Sequence, residues 1–165
     1  MKRLLVLLFI PVLLSGCSVG VTMSGTDTSG ASTFSVDYFK PNTALATPLL
    51  AQRFTESLKD LILQQSPLNL TKRDGDLTYE GSIIGYDISP SAVQANETAD
   101  QNRLTITVKV KYTNTIEKEK SFERTFSKFA DYPSSQDLFA IEDQLIEDIN
   151  DQLTQDIFNA SLGNW

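Results

Sequence analysis

The clearest pattern along the chain is a strict alternation of polar and apolar residues between Arg103 and Tyr112. Within this stretch, every even-numbered residue is apolar or aromatic, and every odd-numbered residue is polar or charged. This period of two predicts a β-strand with one side buried and the other in contact with water. The water-facing side would carry Arg103, Thr105, Thr107, Lys109 and Lys111.

Other segments with strand-like patterns predict further strands at residues 33–39, 68–71, 77–89 and 121–129. In the first of these, the alternation places Phe34, Val36 and Tyr38 on the buried side. In the last, the aromatic residues expected to help fill the core are Phe122, Phe126 and Phe129.

The strand predicted at residues 77–89 contains an irregularity. Its apolar positions change from odd to even numbers at Ile83 and Ile84, and Gly81 and Gly85 flank that point. A change of parity next to glycine predicts a β-bulge or a strong twist.

The composition of the segments between these strands predicts two connections. Residues 90–102 are polar and predict a loop, and residues 114–118 form a short charged connection. The second connection is short enough for a hairpin, so Tyr112 and Phe122 are expected to be neighbours.

Two segments have helical spacing. Thr47 followed by Pro48 is typical of a helix N-cap and first helical position, and the helix is expected to run to about Gln65. A second helix is predicted to open at Ser134, with Asp137 in the capping-box position. Its apolar stripe consists of Leu138, Ile141, Leu145, Ile149, Leu153 and Ile157.

The element order is strand, helix, several strands and helix. Amphipathic helices and a half-buried sheet bury their apolar sides by packing against one another. The sequence therefore predicts an α+β fold: a two-layer sandwich of a mixed, mostly antiparallel sheet with both amphipathic helices on one face.

Composition and charge exclude several function classes. The chain has 165 residues, enough for one domain with a core, and a formal net charge of −7, which disfavours nucleic-acid binding. It has no His and a single Cys, so a Ser-His-Asp triad, an internal disulfide and a thiolate metal cluster are impossible. The acidic pairs of the last helix lie opposite its apolar stripe and are expected to be solvated. We therefore expect no enzyme, no catalytic residue, no metal and no cofactor.

The N-terminus has the pattern of a bacterial lipoprotein signal. Lys2 and Arg3 precede an apolar run, LLVLLFIPVLL, that is too short to span a bilayer comfortably. The tetrapeptide LSGC, ending at Cys17, is similar to a lipobox, in which the Cys is lipidated and becomes the mature N-terminus. In bacterial lipoproteins, an Asp directly after the lipidated Cys is the usual signal for retention in the inner membrane. This chain has Ser18 at that position, which favours the outer membrane. The alternative is an ordinary signal peptide with an incidental Cys.

These observations divide the chain into three parts. Residues 1–16 are predicted to be the signal peptide, and residues 17–32, rich in Gly, Ser and Thr, the lipidated Cys and a flexible tether. Residues 33–165 are predicted to form the α+β domain.

The mature chain resembles the LptE family of lipopolysaccharide-assembly lipoproteins, in the form found in Bacteroidota. The resemblance extends over residues 34–70, 75–93, 96–115 and 120–165, and its most specific stretches are NRLTITVKVKYTN and FADYPSSQDL. It implies a plug inside the outer-membrane β-barrel LptD that helps the barrel assemble and aids insertion of lipopolysaccharide. The basic residues that bind lipopolysaccharide in other members of the family cannot be assigned to positions of this chain by a shared motif.

Two questions stay open at this point. Arg103, Lys109 and Lys111 would be able to contact lipopolysaccharide phosphates, but the alternative is a solvated sheet face. The alternative function is a periplasm-facing carrier of a lipid or small ligand. A carrier needs a cavity between helices and sheet, and the aromatic and leucine side chains look sufficient to fill that space.

Overall fold

The computed structural model describes residues 26–91 and 100–163. The predicted signal peptide, Cys17 and the first part of the tether therefore lie outside the described residues. Most of the predicted loop at 90–102 also lies outside them, as does Trp165.

Within this part of the chain there are six strands and two α-helices. The strands are β1 (Thr33–Val36), β2 (Lys40–Pro41), β3 (Asn69–Leu70), β4 (Leu77–Ser91), β5 (Gln101–Asn114) and β6 (Phe122–Pro133). The helices are α1 (Pro48–Gln65) and α2 (Leu138–Leu162), and a 3-10 turn (Lys118–Lys120) connects β5 to β6.

The strands form one mixed sheet in the order β3-β1-β4-β5-β6, with β2 pairing with β4 beside β1. The β1–β3, β1–β4 and β2–β4 pairs are parallel and short, whereas β4–β5 and β5–β6 are long and antiparallel. Both helices pack on one side of this sheet and against each other. The predicted α+β class and the mostly antiparallel sheet are confirmed.

The irregularity predicted in β4 is a β-bulge. The pairing register between β4 and β5 shifts between Ile83 and Gly85. The extra residue allows Ile83 and Tyr86 both to be buried, while Ile84 between them is 38% exposed. The bulge thus explains the change of parity in the sequence.

The predicted strand at residues 33–39 is wrong in its second half. β1 ends at Val36, and the alternation breaks because Phe39, not Tyr38, is buried. Phe39 packs edge-on against Phe54 of α1 with ring centroids 5.0 Å apart, and its backbone N–H donates to Thr55 Oγ1. Burying the Phe39 side chain against the helix is worth more than continuing the alternation of β1 for two more residues.

Helix α1 begins as predicted, since Thr47 Oγ1 accepts a hydrogen bond from Leu50 N at 3.1 Å. The predicted start of α2 at Ser134 is wrong. Asp137 is the N-cap, and its side chain accepts from Phe139 N at 3.1 Å. Ser134 instead donates its backbone N–H to Asp100 O, so this part of the chain is held to the end of the sheet before the helix begins.

The core is a single layer of side chains between the sheet and the helices. The even-numbered residues of β5 are buried as predicted, and the rings of Tyr112 and Phe122 lie 5.2 Å apart in the predicted hairpin contact. The placement of Phe129 in the core is wrong, because it pairs with Thr105 on the opposite face and is 46% exposed. The fully buried aromatic residues are Phe34, Phe39, Phe54, Tyr79 and Tyr112.

Neither α1 nor α2 is apolar over a stretch long enough to cross a bilayer, and the described residues contain no other helix of that length.

Candidate functional site

The outer face of the sheet, the side of β4–β6 that faces away from the helices, carries the three predicted lipopolysaccharide-contact residues. Arg103, Lys109 and Lys111 share this face because alternate residues of β5 point the same way. Lys109 and Lys111 are neighbours along the strand, whereas Arg103 lies six residues away, about 20 Å at the rise of a β-strand. The three cations therefore do not converge on one point.

Arg103 makes a two-pronged ion pair across the strands. Its Nε donates to Asp131 Oδ1 at 2.7 Å and its Nη2 donates to Asp131 Oδ2 at 2.8 Å. Its guanidinium carbon also lies 3.6 Å from the centre of the Phe129 ring. The hydrogen bonds raise the pKa of Arg103 and lower the pKa of Asp131.

The two lysines are paired in the same way. Lys109 Nζ lies 2.5 Å from Glu123 Oε1, and Lys111 Nζ lies 2.8 Å from Glu80 Oε2. The hydrogen bond from Lys109 lowers the pKa of Glu123, and the hydrogen bond to Glu80 raises the pKa of Lys111. Each predicted contact residue thus has a carboxylate partner on a neighbouring strand.

The outer face is consequently polar and nearly balanced in charge. Its remaining charge, on β4, is Asp87, which pairs in register with Thr105. Hydroxyl side chains occupy most other positions, and Thr107 and Ser127 share a hydrogen bond of 2.9 Å across the strands. Such a surface suits contact with another hydrated polar surface more than the capture of an isolated anion.

Sequence reasoning missed the partners of these cations. For the partners on β6, the signal was present in the predicted neighbours Tyr112 and Phe122. Counting back from that pair along both strands places Lys111 opposite Glu123 and Arg103 opposite Asp131, which is the observed register. The same counting places Phe129 on the outer face.

The described residues provide no support for catalysis. They contain no group of carboxylates that suits a metal ion. The acidic pairs of α2 do not face each other across a cleft: Glu142 accepts a hydrogen bond from Tyr86 at 2.5 Å, and Asp143 pairs with Arg53 at 2.6 Å. Cys17, the predicted lipidation site, lies outside the described residues.

The described end of the predicted tether, residues 26–32, is attached to the domain. Asp27 N donates to Leu162 O at 2.8 Å, and its carboxylate accepts from Lys120 Nζ at 2.6 Å. Ser32 N donates to Asp76 Oδ2 at 3.0 Å. These contacts make this part of the segment an ordered strap beside the C-terminal end of α2, in contrast to the expected flexibility. The division of the chain at residues 16 and 32 otherwise stays a prediction.

Solved structures share this fold at low sequence identity. A minor lipoprotein from Acinetobacter baumannii is 15% identical with a TM-score of 0.52, over 81% of this chain and 97% of that chain. A hypothetical protein from Chlamydia trachomatis is 10% identical with a TM-score of 0.52, over 79% and 98%. A protein from Xanthomonas campestris is 11% identical with a TM-score of 0.50, over 78% and 82%.

The comparison with curated proteins finds no match. The comparison with family models matches residues 31–161 to the family described as LptE, lipopolysaccharide-assembly. That span covers 131 of the 165 residues and includes all six strands described above, α1, and α2 except for its last residue. The chain therefore belongs to the LptE family of lipopolysaccharide-assembly proteins.

Proposed function

We propose that this protein is a non-catalytic outer-membrane lipoprotein that plugs, and helps to assemble, an LptD-type β-barrel for transport of lipopolysaccharide to the outer leaflet. The observation that carries the proposal is the family match over residues 31–161. The lipid anchor is Cys17, and the barrel and lipopolysaccharide are the partners.

The surface of the domain supports the role of a plug. A plug needs shape and a surface compatible with a polar barrel interior, and it needs no reactive centre. The outer sheet face provides a flat hydrated surface whose cations at 103, 109 and 111 are already neutralised by carboxylates. Such a face can be enclosed in a polar lumen with one unpaired carboxylate, Asp87, left for a donor of the lumen to bind.

The geometry of the N-terminal strap supports anchoring through Cys17. The described chain begins at Thr26, which bridges to Gly163 beside the end of α2. Eight residues lie between Cys17 and Thr26, which allows a reach of at most about 30 Å. A lipid at Cys17 would hold this end of the domain close to the periplasmic leaflet and raise its local concentration near the barrel.

Direct contact of Arg103, Lys109 and Lys111 with lipopolysaccharide phosphates remains part of the proposal. Because each cation is paired, a phosphate must compete with Asp131, Glu123 or Glu80 for its donor. This competition makes the contact sensitive to removal of the carboxylates.

The interior of the domain does not favour the alternative of a lipid or small-ligand carrier. The layer between sheet and helices is filled by fully buried side chains, including Phe34, Phe54 and Tyr79. The groove of about 610 Å³ between the helices is open and carries charged residues on its walls. An acyl chain requires an enclosed apolar cavity.

Co-purification tests the proposal most directly. The full chain with a C-terminal affinity tag is expressed in its own host and recovered from outer membranes solubilised in detergent. We expect a large β-barrel protein at a one-to-one ratio, identified by mass spectrometry and by a difference in its gel migration between unheated and heated samples. Recovery of the tagged chain without any barrel, under conditions that keep outer-membrane barrels folded, would overturn the proposal.

A further inference from the structure

A groove separates α1 from α2 on the side of the domain opposite the outer sheet face. Its volume is about 610 Å³, and an adjoining groove of about 410 Å³ extends it toward the C-terminal end of α2. The two grooves share Ser57 and Asp60 on the α1 wall. The α2 wall runs from Ala140 to Gln155, which corresponds to about 22 Å along a helix.

Both walls carry acidic residues at a regular spacing. Glu56 and Asp60 are four residues apart on α1, and Asp143, Glu147 and Asp151 are four residues apart on α2. Like charges at this spacing lie on one face of a helix and repel each other, which weakens an isolated helix. These acidic residues therefore reduce the stability of the helices, and the fold does not require them at these positions.

Local cations neutralise only part of this charge. Arg53 pairs with Asp143 at 2.6 Å, and Lys59 pairs with Glu56 at 2.9 Å. Within residues 26–91 and 100–163, the side chains of Asp60 and Asp151 make no ion pair or hydrogen bond. Glu147 has no such contact either and only attracts Arg53 at longer range. The groove thus retains three carboxylates that are free to bind a cationic group.

A buried amide in the groove wall points to a missing donor. Asn150 lines the groove between Asp143 and Asp151 and is only 2% exposed. Its Oδ1 is the one buried side-chain oxygen or nitrogen in the described part of the chain without a hydrogen-bond partner. Buried acceptors are normally paired, because an unpaired one loses its hydration without compensation. A ligand that brings an N–H group would supply the partner.

We propose that this acidic groove, formed by α1 and α2, binds an extended basic segment of a protein partner that carries Arg or Lys at alternate positions. Four residues of helix rise about 6 Å, and alternate side chains of an extended chain are about 6.7 Å apart, so the basic side chains match the acidic positions one by one. A groove of this length accommodates about seven extended residues. The remaining N–H donors of one Arg reach Asn150 Oδ1 once its amide turns toward the groove, because that oxygen is buried in the free protein.

Other occupants fit less well. The described residues form no cluster suited to a metal ion, which disfavours a divalent cation. A second copy of this chain is disfavoured because three cations of its outer sheet face are held by their own carboxylates. The inference concerns the helical side of the domain and does not depend on the proposed role as a barrel plug.

Binding of a defined peptide tests this proposal. The probe is fluorescein-labelled Arg-Ser-Arg-Ser-Arg-Ser-Arg, and the protein is the full chain in detergent at about 0.15 M salt, where weak long-range attraction is screened. The reordered peptide Arg-Arg-Arg-Arg-Ser-Ser-Ser has the same charge without the alternation. We expect the alternating peptide to bind more tightly, as measured by fluorescence anisotropy.

Two charge-matched triple variants separate the groove from general attraction. The groove variant combines Asp60→Asn, Glu147→Gln and Asp151→Asn, and should weaken peptide binding about tenfold, as expected from losing three partly exposed ion pairs. The control variant combines Asp37→Asn, Asp87→Asn and Glu119→Gln, exposed residues outside the groove, and should change the affinity less than about twofold. Equal weakening by both variants, or no binding by the wild-type chain, would overturn the proposal.

Asn150→Leu provides a second test that does not depend on charge. Leucine has a similar volume and removes the unpaired acceptor, so the variant should melt at a higher temperature than the wild-type protein. It should nevertheless bind the alternating peptide more weakly. A stabilised variant with unchanged peptide affinity contradicts the role of Asn150. A calcium-dependent rise in melting temperature that only the groove variant loses, without peptide binding, would identify a cation site and refute the peptide proposal.

Discussion

The ring of Phe39 occupies the space that a side chain at position 81 would need. A Cβ atom on Gly81 would lie 2.5 Å from Phe39 Cε1 and still closer to the carbonyl oxygen of Lys109. Real Cβ atoms do not approach other atoms so closely, so the glycine is what allows Phe39 to enter the core between β1 and β2. This contact connects the break after β1 with the sequence of β4.

Gly81→Ala should therefore be strongly destabilising. The methyl group must displace either the Phe39 ring or the backbone of β5, and overpacking of this kind costs about 2 kcal/mol or more of unfolding free energy. Urea denaturation followed by circular dichroism measures the change. Gly85→Ala is the matched control, since its nearest contact is Thr107 Cβ at 3.0 Å, and it should cost less than half as much.

The features predicted correctly from sequence are those determined by residues close together in the chain. The Thr47–Pro48 pair predicted the start of α1, and the glycines at 81 and 85 predicted the bulge of β4. In each case the local conformational preference and the tertiary structure agree.

The features predicted wrongly depend on contacts between distant parts of the chain. Phe39 is buried because α1, reached through a later turn, provides Phe54 as a partner. Asp137 replaces Ser134 as the N-cap because Ser134 is held by Asp100, across the end of the sheet. The ion pairs of the candidate site depend on the register of three strands. The Tyr112–Phe122 contact gives the register of β5 with β6, but not that of β5 with β4, on which the Lys111–Glu80 pair depends.

Alkaline pH should destabilise the protein through its buried tyrosines. Burial raises the pKa of Tyr112 to about 12 and also raises the pKa values of Tyr79 and Tyr86. Tyrosines of the unfolded chain release their protons near pH 10. Stability is thus complete below about pH 10 and falls as the pH rises toward 12, because only the unfolded chain ionises readily in that range. The melting temperature measured between pH 9 and about 12 should show this decline.

The variant Tyr112→Phe isolates one group from this decline. Lys111 and Lys120 contribute in the same direction, since their ion pairs raise their pKa values and are lost as the pH rises. Removal of the Tyr112 hydroxyl should leave the lysine contribution and make the fall in melting temperature shallower. A variant with the wild-type slope would show that Tyr112 does not take part.

The carboxylate of Asp76 should stabilise the protein at neutral pH and not in acid. It accepts hydrogen bonds from Ser32 N, Thr33 Oγ1 and Thr33 N, which lower its pKa below the usual value. Stability from a group with a lowered pKa is present above the unfolded value near 4 and disappears as the pH falls through the folded pKa. Asp76→Asn should therefore melt at a lower temperature than wild type at pH 7, and the difference should shrink in acid. Asp74→Asn, an exposed neighbour without hydrogen bonds, should behave like wild type at both pH values.

Cys17→Ser should abolish membrane attachment without affecting the fold. Cys17 precedes the predicted α+β domain of residues 33–165 and lies outside the described residues. A lipid chain on sulfur is what distinguishes an anchored protein from a soluble periplasmic one. Fractionation should move the variant from the membrane to the periplasm, and circular dichroism of a version that begins after the signal peptide should match the wild-type domain. Membrane partition of the variant without a barrel partner would contradict the prediction.

Removal of the outer-face cations tests their contact with lipopolysaccharide. The triple variant Arg103→Gln, Lys109→Gln and Lys111→Gln should weaken lipopolysaccharide binding about tenfold if the phosphates pair with these groups. Titration with purified lipopolysaccharide and the sensitivity of cells to bile salts measure binding and outer-membrane integrity. Unchanged binding together with an intact outer membrane removes these residues from the proposed function.

The opposite variant distinguishes a phosphate contact from a structural role of the ion pairs. Glu80→Gln, Glu123→Gln and Asp131→Asn break the same three pairs but leave the cations on the outer face. If the pairs are only structural, both triple variants are destabilised by the same small amount, because exposed ion pairs contribute little to stability. In that case neither variant changes the binding of lipopolysaccharide. If phosphates compete with the carboxylates, the cation variant binds lipopolysaccharide more weakly than wild type and the carboxylate variant binds it more tightly. The two variants change the net charge by three in opposite directions, so each is compared with an off-face triple variant of the same charge change. These controls are Lys40→Gln, Lys72→Gln and Lys118→Gln, and Asp37→Asn, Asp74→Asn and Glu119→Gln, all at exposed positions outside these pairs.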